Sequence, residues 1–259
     1  QAPAIVAMIE RARAEGLVIT ANQYPWQASG TSLVAALVPQ WAQEGGRAEM
    51  LRRLDDPKLE SRLQTDMAEN LHRRGGAASL MVVEGRWKGE RLDGIARALS
   101  LDPVHAAIAS IRVGDTATIS FNMAPADIET FMSPPWVVTG SDASTGHPRA
   151  FGSFAEKYAA YVRDAKLLTL REFIDRSSSV TAEIFGLEDR GRLRPGAFAD
   201  IAVFDPATFA ASATYERPEL TAIGMRYVLV NGALAVDGGK LTGMAAGRAL
   251  AKLPAAGCQ

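Results

Sequence analysis

Residues 134–152 read PPWVVTGSDASTGHPRAFG, and the interpretation of the whole chain turns on them. Trp136, Val137 and Val138 form a short apolar, largely β-branched run of the kind that fills a buried strand. The run stops at Gly140-Ser141-Asp142, and a loop broken by Gly146 and Pro148 follows, carrying His147 and Arg149. A carboxylate at the mouth of a buried strand, with a guanidinium shortly after it, is a common way to mount a site on an α/β scaffold. An Asp in that place can equally well cap the loop through an Asx turn, and the motif alone leaves both readings open.

Composition narrows the classes. With 28 Lys and Arg against 29 Asp and Glu, the net charge is −1, which gives no general attraction to nucleic acid or anionic lipid. Short basic pairs such as Arg52-Arg53 and Arg73-Arg74 are flanked by acids and read as solvated helix faces. The 259 residues suffice for one large domain, alone or with a small one, and no apolar run is long enough to span a bilayer. The single cysteine, Cys258, excludes an internal disulfide framework, and the three histidines (His72, His105, His147) fall in no metal-binding spacing. Gln1 is not an initiator Met and no signal peptide is visible. The chain therefore reads as a piece that starts in mid-domain, and the compartment it implies is the cytoplasm, with the periplasm left open.

From the N-terminus, PAIVAMIERARAE (3–15) has helical periodicity and Gly16 as its terminator. Leu17–Thr20 reads as a short buried strand, ended by Pro25, which makes an αβ step. Tyr24, Trp26 and the small residues Ala28, Ser29, Gly30 and Thr31 follow, a stretch that fits either a polar pocket or an ordinary turn. Residues 33–101 are far too many for a βα loop. They predict helices near 33–42, 48–54, 59–74 and 92–99 and a strand at 78–83, as a lid-like insertion or as a structural subdomain. Asp102-Pro103 opens a helix in which His105 is expected to be a packed, hydrogen-bonded core residue. A strand at 116–121 and a helix at 125–132 precede the opening stretch. After it come a helix at 153–166 with an aromatic face, a capping box at Thr169–Glu172 and a helix at 179–185. From Arg190 the pattern is β, with strands at 200–205 and 225–230, an Asn231-Gly232 hairpin turn and an Ala-rich, frayed C-terminus. The expected division is 1–189 for the main domain and 190–259 for a small β domain.

Three segments together resemble one family. IERARAEGLVITANQYPWQASGT, VVTGSDASTGHPRAFGSF and LTLREFIDRSSSVTAEIFGLEDRGRLRPGAFADIAVFDP look like the C-terminal portion of an N-acyl-D-amino-acid deacylase (D-aminoacylase) of the amidohydrolase superfamily. The closing VLVNGALAVDGGKLTG fits that superfamily's final hairpins. The resemblance implies an α/β fold: the C-terminal part of a metal-dependent (β/α)8 barrel, with Leu17–Asn22 as strand seven, Trp136–Ser141 as strand eight, and part of a small β-sandwich built from both chain ends. It implies hydrolysis of N-acyl-D-amino acids by a zinc-activated water. On that mapping Asp142 is the strand-eight acid that shuttles the proton, and a secondary metal ligand. Arg149 grips the substrate α-carboxylate, with Tyr24, Ser29 and His147 beside it. Asn22 and Trp26 depart from the family's usual Asp and second Tyr, which bears on substrate preference.

The resemblance also implies that the main zinc ligands, an HxH on strand one, a Cys and two later histidines, lie upstream of Gln1. The chain alone is then expected to bind no zinc tightly and to be inactive. Its expected partners are an N-terminal barrel half, or itself through exposed strand edges, and neither nucleic acid nor membrane. Two other readings stand beside this one: a cyclic amide or imide hydrolase of the same superfamily, and a non-catalytic barrel fragment with a binding or assembly role.

Overall fold

A computed structural model describes residues 1–114, 117–187 and 189–250. Thr116, expected to start a strand, lies outside the described residues, as do Cys258 and the last part of the Ala-rich tail. The strands are β1 (Ala21–Gln23), β2 (Ser29–Ser32), β3 (Leu80–Val82), β4 (Ala117–Ser120), β5 (Val137–Thr139), β6 (Ile201–Phe204), β7 (Met225–Val230), β8 (Ala233–Asp237) and β9 (Lys240–Leu241). The chain divides into two compact units: Gln1–Pro25, Pro125–Ala143 and Pro148–Gln259 form one, Trp26–Ala124 and Ser144–His147 the other. Among the described residues no helix is long and apolar enough to cross a membrane.

In the first unit β1 and β5 pair in parallel, with Ala21 opposite Val137 and Gln23 opposite Thr139. Val137, Val138 and Thr139 are buried, as the apolar run requires. The strand is shorter than 136–141 at both ends, and the turn ahead of it is held from outside. Arg176, buried on the helix Leu170–Ser177, donates to the carbonyls of Met132 (2.8 Å) and Ser133 (3.3 Å) and holds the Pro-rich turn ahead of β5. Trp136 is pinned by its indole N–H, which donates to Glu10 at 2.5 Å. Among the described residues no strand pairs with Leu17–Thr20, and the strand expected there is found at Ala21–Gln23, opposite Val137–Thr139. Leu17 is 58% and Val18 94% exposed, against the expectation of burial. The Thr169–Glu172 capping box forms as read.

The aromatic helix is α-helical over Arg149–Glu156 and π-helical over Lys157–Asp164. Its Tyr158 packs with Phe173, Phe204 and Phe209. Strands β6–β9 form an antiparallel sheet in sequential order, with Asn231 (φ 51°) and Gly232 (φ 83°) making the hairpin turn from β7 to β8.

The second unit has a three-stranded antiparallel sheet, β2–β4–β3. Leu33, Leu37, Leu63, Met67, Leu80, Leu92, Ile95 and Ile111 are at its core, each almost wholly buried. Pro39 divides the first expected helix into Leu33–Leu37 and Gln40–Gln43. Of Ala28–Thr31, which fit a polar pocket or an ordinary turn, Ser29, Gly30 and Thr31 lie in strand β2 and not in a turn, because β4 offers a full antiparallel register from Ser29↔Ser120 to Ser32↔Ala117.

Candidate active site

The parallel register of β1 and β5 brings their C-terminal ends to the same edge, the edge where open parallel α/β sheets bind ligands. Tyr24 follows β1 directly, and Gly140-Ser141-Asp142 follow β5. Gly140 is required for room. A Cβ there would lie 2.3 Å from Oδ1 and 2.9 Å from Cβ of Asn22, the β1 residue whose side chain lies over it. Asp142 carries the unusual backbone, with φ 47°. Asp tolerates the left-handed region better than most residues, since its short polar side chain can bond locally.

Asp142 points its carboxylate at Arg149, with Oδ2 2.9 Å from Nη1. The two are unequal in setting: the Asp142 side chain is 65% exposed, whereas that of Arg149 is 3% exposed. The guanidinium carbon lies 4.9 Å from the centre of the Tyr24 ring, within cation–π range. Burial raises the Tyr24 phenol above its ordinary value and the Asp142 charge adds to that, while Arg149, which hydrogen-bonds it, pulls the other way. Tyr24 is therefore a neutral hydroxyl at physiological pH. The cluster thus joins an accessible carboxylate, a buried guanidinium and a phenol.

Of the other residues singled out in the sequence, Ser29 and His147 belong to the second unit. Ser29 is half-buried on β2, its hydroxyl 3.4 Å from Asn122 Oδ1. His147 is 1% exposed, with Nε2 2.9 Å from the Ala28 carbonyl and its ring edge-on to Trp26. The preceding Gly146 (φ 75°) admits no side chain, because a Cβ would come within 2.6 Å of Val83. His105 departs from the expected core position. Its side chain is 39% exposed, and Nδ1 lies 2.5 Å from Asp102, the residue that caps its helix. Sequence reasoning missed Lys157, which is fully buried; no sequence signal marks a charged residue as buried.

Among the described residues no three His, Cys, Asp or Glu side chains are placed to hold a metal ion together. Asp142 offers one carboxylate, already paired with Arg149, so these residues do not form a metal-holding set by themselves.

The model of the amidohydrolase family matches residues 39–236. The chain belongs to that family. The chain is 32% identical to the N-acyl-D-glutamate deacylase of Alcaligenes xylosoxydans xylosoxydans over 233 residues, 88% of this chain and 41% of that protein. It is 39% identical to the D-aminoacylase of the same organism over 141 residues, 53% of this chain and 29% of that protein. Among solved structures, the N-acyl-D-glutamate deacylase of Bordetella bronchiseptica, complexed with zinc and a phosphonate mimic of the tetrahedral intermediate, superposes with a TM-score of 0.71 at 29% identity. That match covers 90% of this chain and 43% of the Bordetella chain. The chain thus spans less than half the length of these relatives. The likeness to D-aminoacylases read from the motifs is borne out, and its relatives are amide-cleaving hydrolases that include a zinc-bound one.

Proposed function

We propose that this amidohydrolase chain is part of a hydrolase that splits N-acyl-D-amino acids into a carboxylate and a D-amino acid. The observation that carries the reading is the Asp142–Arg149–Tyr24 cluster at the shared end of β1 and β5. On this reading β1 and β5 are strands seven and eight of an eight-stranded barrel, and β6–β9 are part of a small β-sandwich. Arg149, beside the Tyr24 ring, takes the α-carboxylate of the substrate in place of Asp142; a guanidinium fork suits a carboxylate. Asp142, freed and exposed, accepts a proton as water adds to the amide carbon. It returns that proton to the nitrogen as the C–N bond breaks. Zinc of the kind held by the Bordetella deacylase belongs to ligands in the part of the relatives' length that this chain does not span. A partner carrying that part, or a second copy, covers the open edges of β1 and β5. A ring amide is the less favoured reading, since a ring substrate need not present a free carboxylate to Arg149.

The test joins these residues to the preceding part of the Alcaligenes N-acyl-D-glutamate deacylase and assays N-acetyl-D-glutamate with zinc. Asp142→Asn is expected to lower turnover by about 10²–10⁴-fold, the usual worth of general acid–base catalysis. Arg149→Lys is expected chiefly to raise KM. A wild-type rate in Asp142→Asn removes the proton role, and an unchanged KM in Arg149→Lys removes the carboxylate role. The 259-residue chain alone is expected to give neither turnover nor stoichiometric zinc; finding both would overturn this division of labour.

A further inference from the structure

The helix that begins at Arg149 carries three buried polar side chains on one face, at intervals of four residues: Arg149 (3% exposed), Ser153 (2%) and Lys157 (0%). Two are accounted for. Arg149 faces Asp142 and Tyr24, and Ser153 donates to the Arg149 carbonyl at 2.8 Å. Lys157 is not: its Nζ is fully buried and has no hydrogen-bond partner among the described residues. It stands at the junction where the helix turns from α to π, a form confirmed at its end by the Ala165 N–H donating to Ala160 five residues back. Long π segments are rare and tend to mark functional positions.

The charges around Lys157 do not neutralise it. From the adjacent helix Leu170–Ser177 the group that acts on it is Arg176, a like charge. Glu172 on that helix is engaged with Arg176 at 3.2 Å and with the Thr169 cap. On its own helix, Glu156 is itself pushed toward the neutral form by burial and by Asp164, with Arg163 opposing. An ammonium in this position has neither solvent nor an anion, and an unpaired buried charge is among the most destabilising features a fold can hold.

We propose that the Lys157 amine is a protonation switch built into the helix that presents Arg149: uncharged it packs without penalty, and protonated it loosens the π-helical segment. Burial, with Arg176 adding to it, lowers its pKa from 10.5 to about 8. The folded value lies below the unfolded one. The penalty is therefore present in full below about pH 8 and fades as pH rises through the window up to 10.5, where the unfolded chain also gives up its proton. Lys157 thus weakens the unit carrying Asp142 and Arg149 less and less as the solution becomes alkaline, up to the ordinary lysine value of 10.5.

The experiment uses the full chain as wild type, Lys157→Met and Lys157→Arg. Urea unfolding at pH 7 and pH 10 is expected to show wild type less folded than Lys157→Met by a factor on the order of 100 at pH 7, shrinking to a few-fold at pH 10. Lys157→Arg, whose charge does not titrate, is expected to be penalised at both. NMR titration of the lysine side chains in wild-type protein gives an independent readout, with Lys157 expected at least one unit below the others. A Lys157 that titrates with the surface lysines, or a difference from Lys157→Met that does not change with pH, overturns the proposal. Should Lys157→Met fail to fold, the wild-type titration decides alone. Neither readout depends on deacylase activity, so the switch and the proposed function stand or fall separately.

Discussion

Replacing Gly140 by Ala adds one carbon where Asn22 already sits. The new Cβ would lie 2.3 Å from Oδ1, 2.7 Å from Cγ and 2.9 Å from Cβ of Asn22. The Asn22 amide end can rotate away, but its Cβ is fixed by the β1 backbone, and β1 is held in register by β5. The strand ends must therefore part by several tenths of an ångström. Overpacking of this kind costs roughly 1–3 kcal/mol, and about 2 kcal/mol is expected here. Urea unfolding of Gly140→Ala, Asn22→Gly and the double variant isolates the cause. Asn22→Gly deletes all three clashing atoms, and Ala at 140 then restricts only the unfolded chain, for a gain of about 0.4–1 kcal/mol. The substitution should thus change sign between backgrounds, with a coupling of about 2–3 kcal/mol. An equal cost in both backgrounds would show that Gly140 is needed for its backbone freedom, and no cost in either would refute the close approach of Asn22.

Two further outcomes can be measured on the same chain. His147→Phe keeps a ring beside Trp26 but deletes the bond to the Ala28 carbonyl, and should lower stability by about 1–3 kcal/mol, the cost of an unpaired buried acceptor; an unchanged unfolding midpoint would count against it. Asp102 is drawn down to about 2 because hydrogen bonds from His105, Gln64 and the helix amide outweigh the opposing effect of burial. Its contribution is present above the ordinary Asp range and is lost as pH falls from about 4 toward 2. With the side chain 44% exposed, screening limits it to about 1 kcal/mol. Asp102→Ala should remove that acid-side loss; an unaltered acid limb would show that the cap contributes nothing.

What was legible in the sequence was set by how local its cause is. The helix Leu92–Leu99, the Asp102 cap, the Thr169–Glu172 box and the Asn231-Gly232 turn each depend on residues within four positions of one another, and each lies where the sequence put it. Leu17–Thr20 failed because a strand needs a neighbour. The chain ahead of its expected neighbour is held at Met132 and Ser133 by Arg176, a residue more than 150 positions away whose reach no pattern at 17–20 encodes. Ser29–Ser32 failed in the opposite sense: its residues suit a loop, and β4, some 90 residues on, makes it a strand. Lys157 was invisible for a third reason. Helical spacing shows which residues share a face, and a lysine on that face is ordinarily read as solvated.

The candidate site shows the same division, and it bears on how Asp142 should be probed. Asp142 and Arg149 are seven residues apart, at the two ends of one loop, so their pairing was within reach of the motif, whereas Tyr24 joins them through the β1–β5 register. The motif left a loop cap and a proton shuttle as alternatives for Asp142, and the backbone explains why the choice was hard. At φ 47° the position favours Asp, Asn or Gly whatever the side chain does chemically. Asp142→Ala would therefore mix two losses, the carboxylate and about 1–2 kcal/mol of left-handed backbone strain. Asp142→Asn avoids the mixture, because Asn tolerates the same φ and still offers Arg149 an oxygen acceptor. If Asn at 142 folds as well as Asp and the reaction stops, the conformation has been preserved and what has been removed is the carboxylate, with its charge and its capacity to take a proton. If Ala lowers stability while Asn does not, the left-handed turn is the reason a short polar residue stands there, and the carboxylate is the reason it is Asp.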